Sequence, residues 1–357
     1  MLDRFKVPDD IAIRVPPAAM HQTVVNLFMA MGMGAEDAAR GAEVLIYADT
    51  RGIDSHGVSN MTRAYVAGFK TGRINPTPTT KIVKDTGPAV TIDGDGGLGL
   101  VVGPPAMEIA IERARRHGLG VVIIYNAGHY GAAAYYASRA LAHDMIGLSM
   151  TTGGVLVAPT HGSERLLGLN PIGIAAPSDK EIPFIFDASM SSVAGNKIAL
   201  LNRIGGEVLP GWVATPDGAP MMQEGAVPND FILLPLGGTR EIGSHKGFGL
   251  MMMVEVLTSL LAGSGGGPLR RADSVHYFAA YNIDAFSDAA TFKTDMDAYL
   301  RLLLDSKTAP GATRVIYPGI EEAEAEVDRL ARGIPYHPEV IDWFRMICEA
   351  EGAACLV

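Results

Sequence analysis

The run Ala48-Asp49-Thr50-Arg51-Gly52-Ile53-Asp54-Ser55-His56-Gly57 sets a hydroxyl beside an imidazole in a cluster of charge, just after Gly52 closes an amphipathic helix. Adjacent Ser55 and His56, followed by a glycine, suit a core poorly. They suit proton transfer, because histidine is the side chain whose ordinary pKa lies nearest neutrality. The expectation is that His56 is a general acid/base; the bland alternative is a solvent-exposed loop histidine. A serine hydrolase built on Ser55, His56 and Asp187 is disfavoured, because adjacent residues cannot readily face each other as nucleophile and base. No Gly-x-Ser-x-Gly elbow surrounds Ser55 either.

Helical periodicity brackets this stretch. Val15-Pro16-Pro17 starts a first helix carrying Val24, Val25, Leu27, Phe28 and Met31, and Gly32-Met33-Gly34 ends it. A second begins at Ala35-Glu36-Asp37, acidic as the helix dipole favours. A third runs from about 60 to 70. From Lys81 the texture changes to strands: a hairpin over 81–92, then 120–125, 146–151, 172–176, 184–187, 232–234, 275–283 and 314–317. Helices are expected at 104–117, 132–143, 191–203, 246–262, 287–305, 321–332 and 338–351. The apolar run 248–262, too short to span a bilayer comfortably and containing Glu255, reads as a buried core helix, with Met251-Met252-Met253 in the core.

The chain's 357 residues allow two domains, and 48 % hydrophobic content marks a folded protein. The formal charge of −10 argues against a general nucleic-acid surface. Cys348 and Cys355 make neither a disulfide framework nor a metal-ligand cluster, which suits a reducing cytosol. The first ten residues contain no apolar signal-peptide core, so a cytoplasmic protein with no membrane partner is expected.

Gly94-x-Gly96-x-x-Gly99 follows a strand and precedes a helix, the setting in which such glycines bind a dinucleotide pyrophosphate. Two features weaken that reading. The next strand ends in Asn126 where the fingerprint expects an acid, and the preceding strand belongs to an antiparallel hairpin. The alternative is a glycine-rich connection that lets a helix pack closely on a sheet.

Four segments then combine: 49–58; Asn126-Ala127-Gly128-His129-Tyr130-Gly131 followed by Tyr135 or Tyr136; Gly168-Leu169-Asn170-Pro171-Ile172 with Phe186-Asp187-Ala188-Ser189; and Lys246-Gly247-Phe248-Gly249-Leu250 with Tyr317-Pro318-Gly319 and Glu321. In this order, over nearly the whole chain, they resemble the malate/L-lactate dehydrogenase family that is unrelated to the Rossmann-type enzymes of the same name. That family also includes ureidoglycolate, sulfolactate, diketogulonate and cyclic-imine (piperideine/pyrroline carboxylate) reductases. The resemblance implies an α/β (α+β) fold that is not a Rossmann fold, with a mixed, largely antiparallel sheet. It further implies a helical domain drawn from both chain ends (1–78 plus 321–357) and a cofactor-binding domain (79–320). It also implies a homodimer with active sites near the subunit interface, and hydride transfer between NAD or NADP and a small 2-hydroxy/2-oxo carboxylic acid.

Residue roles follow from the same resemblance. His56 matches the proton donor/acceptor, and Ser55 and Asp187 match positions that relay or orient it; Asp187 is alternatively a cap for the helix after Ser189. His129 is a rival for the catalytic role. The backbone of His129, Tyr130, Gly131, Ala132 and Ala133 is placed to meet cofactor phosphate or the nicotinamide amide. Where many relatives carry a carboxylate-gripping arginine, four residues after the histidine, this chain has Asn60, leaving Arg63 and Arg51 as substitutes. Lys246 is a further substrate or cofactor contact. Thr152, Asn170 and Tyr317-Pro318-Gly319 are weaker cofactor contacts. A cyclic-imine reductase and a non-catalytic nucleotide-binding module remain as alternative functions.

Overall fold

Apolar strands build a seven-stranded sheet in the order Lys81–Asp85, Ala89–Gly97, Leu119–Ala127, Ser274–Asn282, Met145–Thr151, Ile172–Ala176, Phe184–Ala188. The structure is a computed structural model that describes residues 3–271 and 273–357. Ala89–Gly97 and Leu119–Ala127 run parallel, joined by helix Gly99–His117 as a crossover, while the other neighbours in this sheet are antiparallel. Ser274–Asn282 arrives late in the chain and inserts at the centre, Phe278 lying opposite Val122 on one side and Ser149 on the other. The result is a mixed, largely antiparallel sheet and not a doubly wound parallel one.

Leu119–Ala127 is apolar on both faces because both are covered. Val122 and Ile124 share a cluster with Met107 and Ile111 of the crossover helix, while Ile123 packs with Val254 and Leu257 on the opposite face. The crossover helix begins at Gly99, five residues before the expected Pro104, and carries Pro104 and Pro105 internally. The glycine motif serves close packing here. A Cβ on Gly94 would lie 2.9 Å from the Asn126 carbonyl, and one on Gly99 would lie 2.6 Å from the Gly128 carbonyl and 2.7 Å from Tyr130 Cβ. The motif presses a strand and a helix start against the 126–130 turn.

The chain ends meet. Ile13–Val15 pairs antiparallel with Ile334–Tyr336. Helices Pro17–Ala30, Ala35–Thr50 and Val58–Lys70 share one apolar cluster with the C-terminal helix Pro338–Glu351 and with the sheet: Phe28, Leu45, Tyr65, Phe344, Val122 and Phe278 all belong to it. Each such side chain stabilises the fold by roughly 1.5–3 kcal/mol on burial. A second cluster (Val157, Val193, Ile198, Leu201, Val213, Leu233) organises a smaller lobe, onto which the N-terminal Phe5 stacks against Trp212 at 5.6 Å.

Two expectations are corrected. The 246–262 helix is an α-helix over Ser244–Glu255 continued by a π-helical turn over Val256–Leu260. It covers one face of the sheet only: Met251 and Val254 are buried, but Met252, Met253, Val256, Leu260 and Leu261 are exposed. Residues 314–317 form no strand. The Tyr317 hydroxyl donates to the Ile182 carbonyl at 2.7 Å and Ile185 N–H donates to the Pro318 carbonyl, which docks this segment beside the sheet edge without a ladder. Among the described residues, no helix is long and apolar enough to cross a membrane, and no cluster of His, Cys, Asp and Glu is suited to a metal.

Candidate active site

Helix Ala35–Thr50 ends at Arg51, and Gly52 turns the chain with φ +75°. The buried Asp49 carboxylate then reaches forward: its Oδ2 accepts from Val58 N–H at 3.1 Å, capping the next helix, and from the Tyr336 hydroxyl at 2.8 Å. Gly57 is required at this crossing, because a Cβ there would overlap the Asp49 carboxylate. Arg329, from helix Ile320–Arg332, forks onto both oxygens of Asp54, with Nη2 to Oδ2 at 3.1 Å, and also donates to the Asp49 carbonyl. The loop carrying Ser55 and His56 is thus clamped by residues about 275 positions away. Burial pushes the Asp49 carboxyl up to about 7, with the nearby Asp54 charge adding to it.

This clamp places Ser55 and His56 on a cavity of about 680 Å³ that His129, Tyr130, Gly131, Ala132, Ala133, Thr152, Asp187 and Arg51 also line. Ser55 Oγ lies 2.9 Å from His56 Nδ1. The imidazoles of His56 and His129 stack, 5.6 Å between centroids and 12° between planes. Burial drives both pKa values down, His56 to about 4 with help from the Lys197 charge and His129 to about 3 with help from His56 and His276.

The two histidines differ in what holds them. His129 Nδ1 lies 2.7 Å from the Tyr65 hydroxyl and accepts from Gly131 N–H at 3.2 Å. A backbone amide can only donate, so His129 Nδ1 is unprotonated and its proton sits on Nε2. Protonating Nδ1 would break that contact. The Ser55 hydroxyl, in contrast, both donates and accepts. It can accept from His56 Nδ1–H in either charge state, which leaves His56 Nε2 to gain or lose a proton.

Asp187 reaches the cavity through sheet register. It pairs with Gly173, and a Cβ on Gly173 would meet Ala133 at 2.7–2.9 Å, so helix Ala133–Arg139 starts directly over this position. Asp187 Oδ2 accepts from Ala134 N–H at 2.7 Å. It therefore caps that helix and not the one following Ser189. Burial raises its carboxyl to about 6, with Glu322 contributing and the Ala134 amide opposing. A carboxylate on these amides suits a cationic or neutral ring and does not suit a phosphate.

Other candidates are placed elsewhere. Asn60 donates through Nδ2 to the Asn196 carbonyl at 3.2 Å and does not line the cavity. Arg63 pairs with Glu339 at 2.5 Å and lies over the Trp343 ring at 5.1 Å, away from the cavity. Lys246 is exposed on the outer helix. Arg51 lines the cavity but is paired with Glu326 at 2.7 Å and lies over Tyr47. Asn170 is buried behind the wall: its Oδ1 accepts from Gly153 N–H at 3.4 Å and its Nδ2 donates to the Met251 carbonyl and Glu255. Tyr317, Pro318 and Gly319 serve the docking described above and the start of helix Ile320–Arg332.

Residues not singled out in the sequence complete the site. Lys197 lines the cavity from the first turn of helix Gly195–Ile204. Glu322 enters from the helix that follows the Tyr317 loop, beside Glu321 of the sequence motif. His276, an imidazole inside an otherwise apolar strand, is fully buried, with Nε2 2.9 Å from the Gly128 carbonyl and Nδ1 2.7 Å from Thr151 Oγ1. It stacks on Tyr130 at 4.7 Å and so fixes the His129 turn. A histidine breaking an apolar strand pattern was the available signal for it.

Residues 15–345 match the malate/L-lactate dehydrogenase family. The chain belongs to that family. It is 38 % identical over 351 residues to malate dehydrogenase of Pyrococcus abyssi, covering 96 % of each chain. To ureidoglycolate dehydrogenase (NAD(+)) of Escherichia coli O157:H7 it is 31 % identical, covering 92 % of this chain and 93 % of the relative. The solved malate dehydrogenase from Pyrococcus horikoshii OT3 superposes with a TM-score of 0.89 at 34 % identity, covering 98 % of this chain and 99 % of the other. Family membership makes the chain an oxidoreductase of the dehydrogenase kind with the non-Rossmann fold described above.

Proposed function

We propose that the protein transfers hydride between NAD or NADP and a small 2-hydroxy/2-oxo carboxylic acid, with His56 as the acid/base. The observation that carries this reading is the asymmetry of the stacked histidines: the Ser55 contact leaves His56 Nε2 free to exchange a proton, whereas the Gly131 amide fixes the tautomer of His129. The cavity volume falls within the range that holds cofactor-sized ligands. There is room along its wall at Gly154, where a Cβ would meet nothing within 4 Å. When bound, the nicotinamide supplies the hydride acceptor or donor.

In this reading His56, neutral above about pH 4, takes the hydroxyl proton as the alcohol is oxidised and returns it in reduction. Ser55 holds the ring's orientation. His129, neutral with Nε2–H, offers a fixed donor to the reacting oxygen. Asp187 sits where it favours a positively charged ring over a phosphate. The exposed apolar residues of 252–261 support a homodimer formed through that surface.

The test is absorbance at the reduced-nicotinamide band with both cofactors and a panel of 2-hydroxy and 2-oxo acids, comparing His56→Ala with His129→Ala. The expected result is turnover in the wild type and a loss of about 10²–10⁴-fold in kcat for His56→Ala. Full kcat in His56→Ala would remove His56 from the role, and no turnover with any acid would end the hydroxy-acid reading.

A further inference from the structure

Among the described residues, the cavity is lined by two cationic side chains, Arg51 and Lys197, against Asp187, Glu321 and Glu322. Arg51 is already committed to Glu326. Lys197 is not committed. Its Nζ lies over the Phe5 ring, 5.2 Å from the centroid, and among the described residues no carboxylate is within 4 Å of it in an ion pair. Burial lowers its pKa, with Asp187 and Glu322 opposing from a distance. A half-buried ammonium without a contact ion pair is a costly arrangement that an incoming anion relieves.

Its position is specified by packing. Ile198 and Leu201 anchor helix Gly195–Ile204 in the smaller lobe, so residue 197 looks out of that lobe into the cavity. The helix start is tied to helix Val58–Lys70 at two points: Asn60 Nδ2 donates to the Asn196 carbonyl at 3.2 Å, and Asn196 Nδ2 lies 3.1 Å from Met61 Sδ. Asn60 lies four residues beyond His56, so this tie brings Lys197 to the His56 side of the cavity. The Lys197 charge is felt there, as it helps hold the His56 imidazole neutral. The N-cap residue Ala194 offers no side chain to the first helical amides, which adds to the positive potential around Lys197.

We propose that Lys197 binds the substrate carboxylate, holding a carboxylic acid so that its neighbouring hydroxyl or oxo group meets His56. The proposal deepens the dehydrogenase reading and rests on it only for the identity of the acid. A carboxylate and the carbon next to it are one bond apart, so the cation that grips the acid must share the proton-transferring histidine's end of the cavity. Lys197 does so; Arg63 and Lys246 do not.

The experiment titrates the full chain with oxalate, a mimic of a 2-oxo acid that needs no turnover, by calorimetry, alongside the neutral 2-hydroxypropanamide, NAD and NADP. Lys197→Met should weaken oxalate by about 100-fold, the scale of a hydrogen bond to a charged group, and leave the amide and both dinucleotides unchanged. Lys197→Arg should recover most of the affinity, and thermal melting should show both variants folded. A second readout is the pH profile. In Lys197→Met the acid limb of kcat/KM should move to higher pH, because a positive charge beside His56 has been removed. Equal oxalate affinity in wild type and Lys197→Met, no oxalate binding by the wild type, or a loss that falls on NAD or NADP instead would overturn the assignment. Oxalate binding that depends on Lys197, together with no turnover of any hydroxy acid, would leave it standing and remove the hydride-transfer reading.

Discussion

Replacing Arg329 by Met probes how the loop carrying Ser55 and His56 is held from the far end of the chain. Arg329 and Asp54 are 9 % and 14 % exposed at the side chain, so water screens the pair little. The guanidinium meets both carboxylate oxygens and the Asp49 carbonyl. Methionine fills similar volume but leaves Asp54 charged and nearly buried. Breaking one partner of a buried pair costs about 3–5 kcal/mol, most of it the penalty on the stranded charge. That origin makes a second substitution informative. Asp54→Asn in the Arg329→Met background removes the stranded charge, and the double variant should recover at least half of the loss instead of adding to it. Urea unfolding followed by circular dichroism gives the stabilities. kcat on a responsive hydroxy acid should fall with Arg329→Met, since Ser55 and His56 directly follow Asp54. An Arg329→Met variant within about 1 kcal/mol of wild type, or additive losses in the double variant, would refute the clamp.

Three further outcomes follow from the same contacts. Folded Asp49 keeps its proton to about pH 7, whereas an unfolded carboxyl loses it near 4; the folded chain therefore binds more protons in this window and stability falls as pH rises through it. Asp49→Asn should remove that slope, so the variant should gain on wild type by up to about 1.4 kcal/mol per pH unit between pH 4 and 7 in denaturation series; parallel profiles would contradict the burial argument. Gly57→Ala should cost about 3 kcal/mol and reduce kcat, because a methyl there drives into the Asp49 carboxylate; a loss under about 1 kcal/mol in urea would mean that the loop yields easily. Tyr65→Phe removes the hydroxyl from His129 Nδ1 and should cost about 1 kcal/mol while lowering kcat less than tenfold; a fall of a hundredfold or more would move the acid/base role toward His129.

Local pattern carried a good deal of this protein. The adjacency of Ser55 and His56 fixes their contact whatever the fold, and glycines on either side mark a turn. Apolar spacing and turn residues placed the helices of both ends, the hairpin expected over 81–92 and the strands of the sheet to within a few residues, because each element depends on neighbours a few positions away. The ordered motifs carried the family. Only tertiary structure decided which side chains share the cavity. Arg63 and Lys246 have the right chemistry for a carboxylate, yet Glu339 and Trp343 engage one and solvent surrounds the other. Lys197 reaches the site from another lobe, Asp187 caps a helix some 50 residues earlier through its pairing with Gly173, and Arg329 closes the His56 loop from helix Ile320–Arg332. Spacing along a chain sets local conformation within a turn or two, while these meetings depend on how surfaces pack across the whole molecule.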